Sequence, residues 1–257
     1  MQHIEMTKEK EELLKKHRIL LKLKKVEEIV MNSKEQIKAE DIYKKLVDFV
    51  NDYNIKSIKL SKDKEKEITT IRQLLVASRN ILAGKKGWVY FEVDNISNDN
   101  LMKLDETLAL KEGSYYIGHI YKENITLMNE MGIHEPCQLQ SLYRKKYGVD
   151  DGFYNFENRT IVNIGYKNLN EFLQDVALDN SPIKMNVLCS YLQNDYGHQE
   201  QSMSEKLRYE FSEYISLSGI INLNEKVKRP SEENNTDKLL RKSPLYGRGK
   251  VQRNRPF

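Results

Sequence analysis

From about residue 39 the chain passes three times through one order of elements, helical stretches followed by a short strand-like run, at a period of roughly 60–70 residues. That is the pattern of a row of small units and not of one large domain. The first unit has the helix AEDIYKKLVDFVNDYN, the apolar-periodic stretch ITTIRQLLVASRNILAG and the run GWVYFEV. The second has NDNLMKLDETLAL, SYYIGHIYKENITLMNEMG, HEPCQLQSLYRKKYG and FYNFENRTIVNIG. The third has NLNEFLQDVALDN, SPIKMNVLCSYLQNDYG, SMSEKLRYEFSEYISLSG and IINL.

The turn residues divide the chain in the same places. Gly132, Gly148, Gly197 and Gly219 follow helical patterns, where a left-handed residue ends a helix. Asp179, Asn180, Ser181 and Pro182 read as a helix stop, an N-cap and a first-turn proline, and Ser202 or Ser204 as the cap of the next helix. YNFENRTIV reads as two strands joined at Glu157, Asn158 and Arg159. Ahead of the repeats, residues 8–31 mix Lys and Glu with Leu, Ile and Val and contain no Gly or Pro, which predicts a long helix. Ile19, Leu23, Val26 and Val30 give it about two heptads, enough to pack along the body or in a homodimer but short for a coiled coil.

The expected architecture is therefore mainly α with short β wings. It comprises a charged N-terminal helix (1–38), a first trihelical unit (39–94), two winged-helix-like units (95–166 and 167–224) and a disordered basic tail (225–257). The tail assignment rests on composition. Its apolar residues are too few to offset the ordering of its backbone. The net charge of +4 is unevenly placed: the tail has ten basic and four acidic residues, and residues 1–224 have 32 and 34. No apolar run reaches the ~18 residues of a membrane helix and the first 30 residues are charged throughout, so a cytoplasmic location is expected, with no membrane partner.

Three helices followed by a strand or a two-strand wing resemble the winged helix, a variant of helix-turn-helix, and the run GIHEPCQLQSLYRKKYG is similar to a GI-x-x-x-x-LHNLL segment of bacterial tandem helix-turn-helix proteins. Gln140 and Ser141 stand where that segment has His and Asn. The resemblance implies a DNA-binding protein, regulatory or architectural, whose third helices enter the major groove. The residues then expected at DNA are Gln138, Ser141, Arg144, Lys145 and Lys146 in the second unit and Gln199, Gln201, Ser202, Lys206 and Arg208 in the third. Gln suits adenine, Arg suits guanine, and Lys145 and Lys146 suit phosphates. In the tail, Arg241, Lys242, Arg248, Lys250, Arg253 and Arg255 suit the phosphate backbone, with Tyr246 able to stack on a base. The other reading is a non-enzymatic adaptor in a multi-protein complex, with the units and the tail as protein-binding surfaces.

No enzyme, cofactor or metal is expected. The chain has no GxxxxGK[ST] or GxGxxG phosphate cradle, and Gly84-Lys85-Lys86-Gly87 reads as the turn before a wing strand. His134 and Cys137 stand three apart, but His119, Cys189 and His198 are scattered between elements in no metal-ligand or nucleophile pattern. Asp150 and Asp151, between Gly148 and Gly152, read as a surface turn.

Overall fold

The computed structural model describes residues 8–148 and 152–224. It is mainly helical with short antiparallel strand pairs. The first unit consists of α1 (Lys8–Met31), α2 (Ala39–Asp52), α3 (Lys64–Ala77), β1 (Ile81–Ala83) and β2 (Trp88–Tyr90). The second consists of α4 (Asn98–Glu106), β3 (Gly113–Tyr116), α5 (Ile117–Glu123), α6 (Ile125–Glu130), α7 (Pro136–Tyr147), β4 (Tyr154–Glu157) and β5 (Ile161–Ile164). The third consists of α8 (Leu169–Asp179), β6 (Ile183–Lys184), α9 (Met185–Tyr196), α10 (Glu200–Glu210) and β7 (Ile220–Ile221).

All three units place a short extended piece after their first helix, and it pairs with the last strand. In the second unit this gives the sheet order β3-β5-β4, all antiparallel. In the third, β6 pairs with β7, which also bridges to Ile215. The first reduces the leading strand to one residue: Ile37 and Trp88 exchange both backbone hydrogen bonds at 2.9 Å, and β2 pairs with β1. Gly87 permits that approach, since a Cβ there would lie 2.5 Å from the Ile37 carbonyl oxygen.

The leading strands are absent from the sequence reading. Ser114–Tyr116, the start of a run expected to be helical, lie in β3, while Pro182 precedes β6 and not a helical turn. Ser202 and Ser204 lie inside α10, which starts at Glu200, so neither caps it. Gly132 and Gly197 are left-handed as expected, whereas Gly148 has φ −81°. Gly219 is left-handed too, but in the turn that leads into β7. The turn between β4 and β5 has Asn158 at φ +55°, a conformation that asparagine tolerates better than most residues. The tail and the Asp150–Asp151 turn lie outside the described residues.

Two cores organise the described residues. Val26, Ile29 and Val30 of α1 pack with Ile42 and Leu46 of α2 and with Ile68, Ile71 and Leu75 of α3. The N-terminal helix thus closes the first core, through one i, i+3, i+4 stripe. Earlier in α1, Glu12 to Leu20 are exposed. The second core runs through both remaining units. Tyr196 of α9 lies 5.0 Å from the Tyr115 ring and 4.7 Å from that of Phe172, centroid to centroid. Strand β1 serves both cores because successive side chains leave a strand on opposite faces: Ile81 enters the first and Leu82 the second.

Within the first unit a buried carboxylate ties the loop before α3 to two helices. Glu67 is 2% exposed; one oxygen accepts from the Lys22 ammonium of α1 at 2.8 Å, the other from the Ser61 backbone N–H at 2.7 Å. Removing one member of such a pair strands the other charge away from water. Glu67→Ala is expected to lower unfolding free energy by about 3 kcal/mol, measured by urea denaturation, and to loosen residues 58–63 in hydrogen exchange.

Candidate nucleic-acid interface

Helices α3, α7 and α10 hold the third-helix place of the three units, α5 and α6 together filling the second place in the middle one, and they differ in what covers them. In the second unit, α7 lies against the strand and turn of the first. The Ala83 N–H donates to the Ser141 hydroxyl at 3.1 Å. Lys145 reaches the end of α3, donating to the Val76 carbonyl at 3.0 Å and also to that of Ser78. Burial lowers its pKa to about 8. Gln138 is buried and accepts from the His134 N–H at 2.8 Å; Lys146 donates to Asp105 and to the Leu101 carbonyl. Arg144 is exposed. Of the five residues expected to face DNA here, four are thus engaged within the chain.

Gln140 is also buried. Its amide donates to the Ile161 carbonyl at 3.0 Å and the Glu157 carbonyl at 3.3 Å, fastening α7 to its own hairpin.

In the third unit α10 packs against α9 and keeps an open face. Gln199, Gln201, Ser202 and Arg208 are exposed, with Glu200 and Glu205 among them. Lys206 is 4.0 Å from Glu210. The face carries both signs of charge. His198 and His119 lie at the contact between the second and third units. His198 Nε2 is 2.7 Å from the Ser114 carbonyl oxygen and burial lowers its pKa, while His119 packs against Gly197. Burial and the Glu135 carboxylate raise the Cys137 thiol to about 11, which keeps it protonated. Among the described residues no three of His, Cys, Asp or Glu are grouped to hold a metal, and no helix is long and apolar enough to cross a membrane. The six tail residues lie outside the described residues.

The cations are concentrated in the first unit. Residues 8–92 have 21 Lys and Arg against 14 Asp and Glu, net +7, whereas residues 93–224 have 11 against 19, net −8. Helix α3 buries one face through Ile68, Ile71, Leu74 and Leu75 and leaves Lys66, Thr69 and Gln73 in solvent on the other. Asp63 caps its N-terminus, accepting from the N–H groups of Glu65 and Lys66. Lys62 is exposed just before the cap, and Lys85 and Lys86 are exposed in the turn between β1 and β2. Sequence reading missed this surface because it counted charge over the body as a whole. Counting unit by unit carries the signal.

The backbone of that turn is held by the second unit. Glu135, just before α7, accepts from the Lys85 N–H at 2.6 Å and from the Gln36 amide at 2.8 Å. The other end of the Gln36 amide accepts from the N–H groups of Lys86 and Gly87. Compared with protein-family models, curated proteins and solved structures, the chain matches none.

Burial alone would raise the Glu135 pKa, but hydrogen bonds from Lys85, Cys137 and Gln36 outweigh it, and the net shift is downward from 4.5. A carboxyl whose folded pKa is depressed contributes stability that is complete above its unfolded pKa and is lost as pH falls through the folded one. The wild type is therefore expected to lose part of its urea stability below pH ~4.5. In Glu135→Gln that contribution is absent, so the difference between the two proteins narrows as pH falls. Paired denaturation series across this range would measure it.

Proposed function

We propose that the chain is a DNA-binding protein, regulatory or architectural, that engages duplex DNA through its first unit with α3 as the groove-reading helix. The observation that carries this reading is the coincidence of the net +7 with a third helix whose outer face is uncovered. The order of helices and strands supports it, being that of the winged helix, where the third helix enters the major groove. Gln73 and Thr69 suit base edges; Lys62, Lys66, Lys85 and Lys86 suit phosphates. The tail adds nonspecific affinity, and α10 with Arg144 plays a secondary part. A cytoplasmic location goes with this reading.

The adaptor reading draws on the acidic second and third units, which expose Val187, Tyr209 and Leu217. On that reading the chain binds a cationic partner and not DNA.

Anisotropy of a labelled duplex against full-length protein, repeated over several salt concentrations, separates the two. Affinity is expected to fall steeply with salt, each lost phosphate contact reducing the log–log slope by about 0.9. The double variant Lys62→Glu/Lys66→Glu should weaken binding about tenfold or more at low salt, while Gln201→Ala/Arg208→Ala changes it less than threefold. Absence of binding at low salt would end the DNA reading.

A further inference from the structure

A second feature of the first unit lies between α1 and α3. A cleft of about 370 Å³ opens there, with Ile19 and Leu74 as its apolar part, Thr70 and Gln73 on the α3 side, and Lys15, Arg18, Lys22 and Lys59 around it. Lys22 is bound to Glu67; the other three cations have no ion-pair partner among the described residues. Ile19 is 48% exposed, a large apolar side chain left in water beside unneutralised charge. The cleft has no aromatic ring on which a base could stack, and a sugar–phosphate strand has nothing apolar with which to cover Ile19. The fitting occupant is an apolar side chain flanked by carboxylates.

Helix α8 presents that arrangement. It buries Leu169, Phe172, Leu173, Val176 and Ala177 in the second core and turns Leu178 outward, 56% exposed. Asp175 and Asp179, at three residues before and one after, are exposed, and among the described residues Asp175 accepts the Tyr166 hydroxyl alone, at 2.6 Å. Leu178 shares a face with Asp175 at i, i+3, and Asp179 adjoins Asp175 at i, i+4, so the helix offers a leucine with carboxylates along one side of it. We propose that the α1–α3 cleft receives α8 of a second copy of this chain, with Leu178 against Ile19 and Leu74 and with Asp175 and Asp179 facing Arg18, Lys15 and Lys59.

The whole-unit charges have the matching signs, net +7 around the cleft and net −8 over the residues that include α8. Opposed fields of this kind steer encounter and are screened by salt. The contact is heterologous, so each added copy leaves one free cleft and one free α8, and association proceeds head to tail. With one leucine and three cations at its centre the interface is small, and association is weak and dependent on concentration. This inference is separable from DNA binding through Lys62, Lys66 and Thr69, which do not line the cleft, whereas Gln73 lines it and is shared by both surfaces.

Sedimentation velocity of the nuclease-treated full chain, over a range of concentrations at low and high salt, tests it. Wild type should form dimers and larger species at low salt and dissociate at high salt. Arg18→Glu/Lys59→Glu disables the cleft and Leu178→Lys disables the helix, so each variant alone should be monomeric with unchanged circular dichroism. Mixed in equal amounts, they should form a one-to-one dimer and stop there, because one supplies an intact α8 and the other an intact cleft. A wild type that is monomeric at every concentration in low salt overturns the proposal. So does continued association of Leu178→Lys, which would point to another face such as the exposed Leu13 and Leu20 of α1, and so does a mixture that stays monomeric. Lys62→Glu/Lys66→Glu should associate as wild type does, which keeps this result separable from any loss of DNA binding.

Discussion

Strand β1 is three residues long, and both cores are built on it. Ile81 closes the first core from one side and Leu82 enters the second from the other, each fully buried. A strand so short cannot specify its own register through length. It is fixed instead by β2 through the ladder and by α7 through the Ser141 hydroxyl on the Ala83 N–H. Everything that distinguishes the second unit's third helix from the first's follows from this seating. Helix α7 is committed to an interface inside the chain, whereas α3 has only its inner face covered.

The electrostatics follow the same division. Where the units meet, charge is met by specific hydrogen-bond partners: Lys145 by the last carbonyls of α3 and Glu135 by the backbone of the turn after β1, while within the second unit Lys146 pairs with Asp105. Away from that contact Lys22 is held by Glu67 and Lys66 lies 3.8 Å from Asp63, but Lys15, Arg18, Lys59 and Lys62 have no ion-pair partner among the described residues, and they contribute to the unit's long-range field. A local run such as Arg144-Lys145-Lys146 looks like a phosphate site because three cations adjoin in sequence. On a helix those three point in different directions, and of them the Arg144 side chain alone has no hydrogen-bond or ion-pair partner among the described residues.

The helices and the threefold order were legible because they rest on apolar periodicity, which a single sequence carries. Pro136–Tyr147 emerges as α7 with the bounds the sequence suggests, and residues 8–31 as α1. The short leading strands were not legible. Two to four residues such as Gly113–Tyr116 or Ile183–Lys184 have no period of their own and run directly into the next helix, so their pairing with β5 and β7 is decided by the tertiary fold. Burial of Gln138 and Gln140 was hidden for a related reason. A glutamine on a helix reads as solvent-facing unless its backbone partners, here His134, Glu157 and Ile161, are known to lie within reach. The covering of α7 by β1 is a contact between residues more than fifty positions apart, and no local pattern announces it.

The shared strand also separates two meanings of the word unit. By sequence the chain divides near residue 94, between a first and a second repeat. A cut there would leave Leu82 facing water, the Ala83 N–H without its acceptor and the Val76 carbonyl without its ammonium. The segment that repeats is therefore shorter than the segment that is self-sufficient. Duplication can copy the former, but only the latter can be excised, exchanged or grafted intact.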